Sequence, residues 1–136
     1  MPVRVEIGPK DIEKNQCVVV RRDTREKAFV PLEGLSDYIE NLLVTIHKDM
    51  YDRAAKNTEE KTFVARTHEE FIDTAKNHPG FIKAMWCGDS ACEDQLKDET
   101  GGVKSRCIPF EEEQLADTCV CCGKPAKHMV FWGKQY

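Results

Sequence analysis

The chain has 136 residues, enough for one medium domain or two small units, and 40% of them are hydrophobic, enough for a core. Its formal net charge of −4 is unevenly spread: residues 1–30 hold 7 Lys/Arg and 5 Asp/Glu, a net +2, while residues 31–136 hold 13 and 19, a net −6. No apolar run approaches the roughly 20 residues of a membrane-spanning helix, and Met1–Lys10 is charged with no apolar signal core, which points to a reducing, cytoplasmic setting and away from a membrane. Non-specific binding of polyanions rests on cations, so any nucleic-acid contact belongs preferentially to the first 30 residues.

Taken in order, Val3, Val5 and Ile7 alternate with charged residues and predict a strand that Gly8-Pro9 ends. Cys17–Arg22 predicts a second strand. Asp23–Glu26 is a polar turn, and Lys27–Val30 returns as a third strand. Such a meander, with no helix of its own to cover it, leaves one face open and reads as part of a larger domain. Ser36 is the expected cap of a long helix, whose apolar stripe runs through Leu35, Tyr38, Ile39, Leu42, Leu43, Ile46 and Met50 to about Ala54. This stripe reads as core. Asn57–Lys61 is polar and reads as a loop.

Thr62–Arg66 predicts a strand. Thr67 and Glu70 fit a capping box opening a helix with Phe71, Ile72 and Ala75 on its buried face, and 77–80 (Asn-His-Pro-Gly) stops it. Phe81–Trp86 is a strand leading directly to Cys87. Ser90 and Glu93 give a second capping-box pattern, for a helix from about Ala91 to Glu99 that Gly101 ends. Val103–Ile108 is a strand stopped by Pro109. Glu111–Glu113 reads as a solvated loop, Cys119–Pro125 as a tight turn, and Lys127–Trp132 as the last strand. The fold class is α/β (α+β, two-layer): terminal strands in 1–31, a linking amphipathic helix in 32–60, and a small domain with a mostly antiparallel or mixed sheet in 61–136.

Six of the seven cysteines lie between residues 87 and 122. Cys87 and Cys92 form one close pair, and Cys119 and Cys122 another. Tetrahedral zinc takes four thiolates, supplied two at a time by short pairs of this kind. Gly123 permits the positive φ that a cysteine knuckle needs, and backbone N–H groups in such a turn can bond the sulfurs. Disulfides would need an oxidising compartment. A redox pair at Cys119 and Cys122 has the spacing but would normally open a helix, whereas Gly123 and Pro125 favour a turn. Cys121 can stand in for Cys119 or Cys122, though spacing prefers the outer two, and His128 is a reserve ligand. Cys17 and Cys107, in strands, read as plain buried thiols. A closed four-thiolate site stabilises a fold and leaves no open position for substrate.

No catalytic signature accompanies the cysteines. There is no Gly-rich phosphate loop after a strand and no Gly-x-Ser-x-Gly elbow. His47, His68, His78 and His128 form no metalloprotease pattern.

The runs Arg4-Val-Glu-Ile-Gly-Pro-Lys-Asp-Ile-Glu13 and Val18-Val-Val-Arg-Arg-Asp-Thr24 resemble the end of the anticodon-binding domain of prolyl-tRNA synthetases of the archaeal/eukaryote-like type. Trp86-Cys-Gly-Asp-Ser-Ala-Cys-Glu-Asp94, Ser105-Arg-Cys-Ile-Pro-Phe110, Cys119-Val-Cys-Cys-Gly-Lys-Pro-Ala-Lys127 and Phe131-Trp-Gly-Lys-Gln-Tyr136 resemble their C-terminal zinc-binding domain. The resemblance implies Cys87, Cys92, Cys119 and Cys122 as zinc ligands. It implies a class II ligase, dimeric as a whole, that activates proline with ATP and Mg²⁺ and transfers it to the tRNA for proline. Since the class II motifs are absent, the expectation is a C-terminal fragment that supports tRNA binding and the catalytic domain of the same synthetase. Tyr136 matches a family terminal tyrosine whose carboxylate reaches toward the catalytic site; a frayed last residue is the plainer reading.

Two other classes of function compete. A free-standing tRNA-binding module would use Arg4, Lys10, Lys14, Arg21 and Arg22 on phosphates, with Lys10, Arg21 and Arg22 the foremost candidates; the plainer view is a solvated strand face. A zinc-bearing protein-interaction domain would use the exposed face of the long helix.

Overall fold

The computed structural model describes residues 1–134 and falls into two compact units, Met1–Lys56 and the chain from Asn57 onward. In the first unit, β1 (Val3–Glu6), β2 (Gln16–Arg21) and β3 (Lys27–Pro31) form an antiparallel sheet in that order. A short helix, α1 (Pro9–Glu13), interrupts the expected meander. Gly8-Pro9 therefore ends the strand by starting a helix: proline is tolerated at the first helical position, and the Asp11 carboxylate accepts the Gly8 N–H at 2.9 Å.

The long helix α2 (Leu35–Glu60) starts one residue before Ser36, which sits inside its first turn instead of capping it. It also runs through Asn57–Glu60, where a loop was expected. That stretch holds neither Gly nor Pro, so nothing in it breaks the backbone ladder, and Lys61 N–H still bonds the Asn57 carbonyl at 3.1 Å. Leu35 and Leu42 pack onto Cys17, Val19 and Val30, so the sheet does have a helical cover on that face. On its other face Phe29 stays 70% exposed.

The second unit has a mixed sheet ordered β4-β5-β7-β6, formed by β4 (Thr62–Val64), β5 (Phe81–Trp86), β6 (Val103–Cys107) and β7 (His128–Lys134). Only β4 and β5 run parallel, joined by α3 (His68–Asn77) as a crossover helix must join them. The Thr67 hydroxyl accepts the Glu70 N–H at 3.2 Å, and the Glu70 carboxylate reaches back to the N–H groups of Arg66 and Thr67, completing the predicted box. The second box does not form. Asp89 caps α4 (Ser90–Thr100), its carboxylate accepting the Ala91 N–H at 3.0 Å. Glu93, freed from capping, takes the Ser105 N–H and hydroxyl at 3.0 and 2.7 Å and ties α4 to β6.

Phe71 of α3, Leu96 of α4 and Ile82, Ala84, Val103, Val130 and Trp132 of the sheet form the core of this unit. The Trp132 ring meets Phe71 and Trp86 edge-on, at centroid distances of 5.6 and 6.0 Å. Such aromatic contacts add to the burial itself. Past the end of β6, Glu112 accepts the Met129 N–H at 2.7 Å, standing in for the missing strand partner. The acidic run 111–113 is thus partly structural, with Glu113 also bonding Lys83 at 3.4 Å.

Phe71 is fully buried, so Phe71→Ala should leave a cavity and lower unfolding stability by about 3–5 kcal/mol. Urea denaturation followed by circular dichroism measures this, and a loss below about 1 kcal/mol would contradict the core described here.

Candidate metal centre

Two backbone turns deliver four sulfurs to one point. β5 ends at Trp86 and hands Cys87 forward; Asp89 then caps α4, which places Cys92 in the helix's first turn. The Asp89 carbonyl accepts both the Cys92 N–H and the Trp86 indole N–H at 3.1 Å, fixing the spacing of this first pair. Opposite it, Cys119–Gly123 closes a knuckle. Gly123 N–H bonds the Cys119 carbonyl at 3.0 Å, and Cys119 N–H bonds Lys124 O at 2.8 Å. Gly123 adopts φ 69°, the left-handed conformation expected of it.

The halves are sewn together by backbone groups. Val120 N–H donates to the Met85 carbonyl at 2.9 Å, and Lys127 N–H to the Trp86 carbonyl at 2.8 Å. His68 adds a side-chain tie, with Nδ1 3.2 Å from the Val120 carbonyl and Nε2 2.7 Å from Glu99. The two backbone tethers had no signal in the cysteine spacing, because they are made by main-chain atoms of Val120 and Lys127.

The sulfurs of Cys87, Cys92, Cys119 and Cys122 all lie within 4.8 Å of one another, a group able to hold a metal ion. Cys87 Sγ is 3.7 Å from both Cys92 Sγ and Cys122 Sγ. A disulfide needs about 2.05 Å, whereas a tetrahedron with metal–sulfur bonds of about 2.3 Å has sulfur–sulfur edges of about 3.8 Å. The observed edges fit the second geometry. Cys87, Cys92 and Cys119 are buried and Cys122 is exposed. Burial pushes the Cys87 and Cys92 thiols up, while the Lys124 N–H bonds the Cys122 sulfur and brings it down to about 7. The site thus begins with one sulfur ready to ionise and two that need a cation beside them.

Cys121 is half-buried and packs beside the cluster without belonging to the group of four. His128 is engaged elsewhere, with Nδ1 3.5 Å from Glu112. Cys17 is fully buried, as expected, but Cys107 is exposed at the frayed end of β6, where the ladder shifts register between Ser105 and Cys107. Tyr136 lies outside the described residues.

The cations of the first unit divide. Lys10, on α1, and Arg22 are exposed. Arg21 donates to both Asp23 oxygens, at 3.1 and 2.8 Å, and to Asp49 at 2.8 Å. Those bonds, to Asp23 first, raise the guanidinium's proton affinity and hold the Asp23 carboxyl down to about 2.

The comparisons with known proteins divide at a similar place. Residues 68–136 match the family described as "Prolyl-tRNA synthetase, C-terminal", and residues 1–42 match "Anticodon binding domain". All 136 residues align with a proline–tRNA ligase of Lachnospira eligens at 60% identity, one of Clostridium novyi at 58%, and one of Clostridium botulinum at 57%. The chain spans 28% of the length of each of these relatives.

The Asp23 carboxyl is depressed on folding, so it contributes stability above the ordinary carboxylate range near pH 4 and loses it as pH falls through about 2. Acid titration of the chain should show unfolding in that window. Asp23→Asn should remove the Asp23 share of it, and an unchanged acid profile would show that the Arg21 pairing carries no stability.

Proposed function

Because this chain belongs to the prolyl-tRNA synthetase C-terminal family, we propose that it serves as the zinc-bearing C-terminal part of a proline–tRNA ligase. The observation that carries the metal reading is four sulfurs within 4.8 Å of one another, two of their edges at 3.7 Å, with no disulfide among them. Cys87, Cys92, Cys119 and Cys122 would hold one zinc ion, whose four sulfurs leave no vacant position. Its work is to join the β5–α4 turn to the 119–123 knuckle. ATP- and Mg²⁺-dependent proline activation is left to other parts of such a ligase, with which this chain would pack. The whole enzyme would act as a cytoplasmic homodimer.

The role on tRNA is supporting. Lys10 and Arg22, both exposed, would meet phosphates. Arg21 is the third candidate cation, and any phosphate contact it makes competes with Asp23 and Asp49.

Two experiments test the reading. Elemental analysis of purified protein should give one zinc per chain, retained in Cys121→Ser and lost in Cys92→Ser with a large drop in thermal stability. Protein that carries no stoichiometric metal would sink the zinc assignment. Second, these 136 residues should replace the aligned segment of the Lachnospira eligens ligase and leave prolyl-tRNA formation within a few-fold of the parent. A folded, zinc-loaded chimera without activity would refute the synthetase reading.

A further inference from the structure

A cavity of about 820 Å³ opens in the second unit, away from the cysteines. Its walls come from the last turn of α2, the end of α3, the turn into β5, and β6 and β7. From residue 57 onward the sequence holds 10 Lys/Arg against 14 Asp/Glu. The cavity reverses this balance: Lys61, Lys76, Arg106 and Lys134 line it, and no carboxylate does so among the described residues. Among the described residues none of the four cations makes an ion pair within 4.0 Å. Lys76 does lie close enough to Glu99 to help hold that carboxyl below its usual range, as the last and smallest of several causes. The C-terminal ends of α2 and α3 lend about half a negative charge each, which offsets one cation of the four.

The cavity is also built. Arg106 donates through Nε and Nη2 to the Gly133 carbonyl, at 3.1 and 2.8 Å, which fixes its guanidinium and leaves Nη1 for a guest. Gly80, at φ 153°, brings its backbone against Lys61, where a Cβ would fall 2.1 Å from the Lys61 carbonyl oxygen. Phe81 N–H donates to that same oxygen at 2.8 Å. Between the cations stand apolar side chains: Phe81, 41% exposed, and buried Ile82 and Val103.

Four cations lining one cavity beside an apolar wall suit a guest with a phosphate at one end and a flat ring at the other. Low-dielectric walls strengthen the attraction to the phosphate, and an exposed phenyl ring offers a stacking surface to a base. The volume is that of a small-molecule site. We propose that this cavity binds a phosphate-bearing nucleotide, with Lys61, Arg106 and Lys134 on the phosphate and Phe81 against the base. The guest is either a free mononucleotide or one residue of an RNA strand, and either would be recognised by the same chemistry. The site stands whether or not the chain works within a tRNA ligase.

Amide NMR on the 136-residue chain at low salt tests this, with AMP in one arm and a short oligouridylate lacking terminal phosphates in the other. Gly80, Phe81 and Gly133 should shift in at least one arm. Tighter binding of AMP assigns a mononucleotide site, and tighter binding of the oligomer assigns an RNA contact. The double variant Lys61→Gln/Lys134→Gln should weaken binding about tenfold or more, roughly 1.4 kcal/mol. Arg66→Gln, an exposed cation outside the cavity, should leave it unchanged. Far-UV circular dichroism checks that each variant folds, and Lys76→Gln, expected to weaken binding several-fold, replaces the double variant if that one does not. No shift in either arm at millimolar ligand, or equal weakening by Arg66→Gln, would overturn the site.

Discussion

Four cysteine sulfurs within 4.8 Å of one another are a constraint before they are a site. As thiols they give up hydration for weak sulfur contacts; as thiolates they repel. Burial pushes the Cys87 and Cys92 thiols up, so these two resist ionising without a cation beside them. A dication inverts this, because each sulfur that loses its proton then gains a bond. On the zinc reading proposed above, the second unit would draw stability from that inversion. Its sheet has only four strands and its helices only 10 and 11 residues, so its core is small for its surface.

The scaffold prepares the cluster without needing the metal to invent it. Backbone bonds from Val120 to Met85 and from Lys127 to Trp86 bring the knuckle alongside β5. Strand β5 therefore has two duties. Its body carries Ile82 and Ala84 into the core, and its end presents Cys87. Trp86 sits between them, touching Trp132 on the core side and the Asp89 carbonyl on the cysteine side. Core packing and sulfur placement are thus one mechanical problem. Disturbing one should disturb the other.

Much of this was legible in the residues. Period-two alternation located the strands, Thr67 and Glu70 marked the start of α3, and cysteine spacing preferred the four sulfurs that cluster, with the family resemblance favouring Cys119 and Cys122 over Cys121. Several of the misses share one physical origin: side chains with more than one possible partner. Glu93 stands three residues after Ser90, a capping-box spacing, yet Ser105 offers it two donors and Asp89 caps better from one residue earlier. Glu112 sits in an acidic run that reads as solvated, yet β6 ends short and leaves the Met129 N–H to be satisfied. Gly8-Pro9 ends a strand in either reading, and only the Asp11 bond to Gly8 tells that a helix follows. Local patterns state what a residue can do; tertiary neighbours decide which option it takes.

The same distinction governs charge. The C-terminal portion is acidic by count, and a count alone argues against anions anywhere on it. Position overrides the count, because Coulomb attraction falls with distance and is screened beyond about 8–10 Å at physiological salt. What counts for the cavity is its own lining, where Lys61, Lys76, Arg106 and Lys134 stand with no carboxylate among the described residues. Arg21 shows the opposite case in the first unit. It belongs to the basic segment, yet Asp23 and Asp49 neutralise it where it stands. Net charge by segment thus overlooks the cations that line the cavity and overcounts Arg21, and the local pairing pattern is the better guide to where an anion can bind.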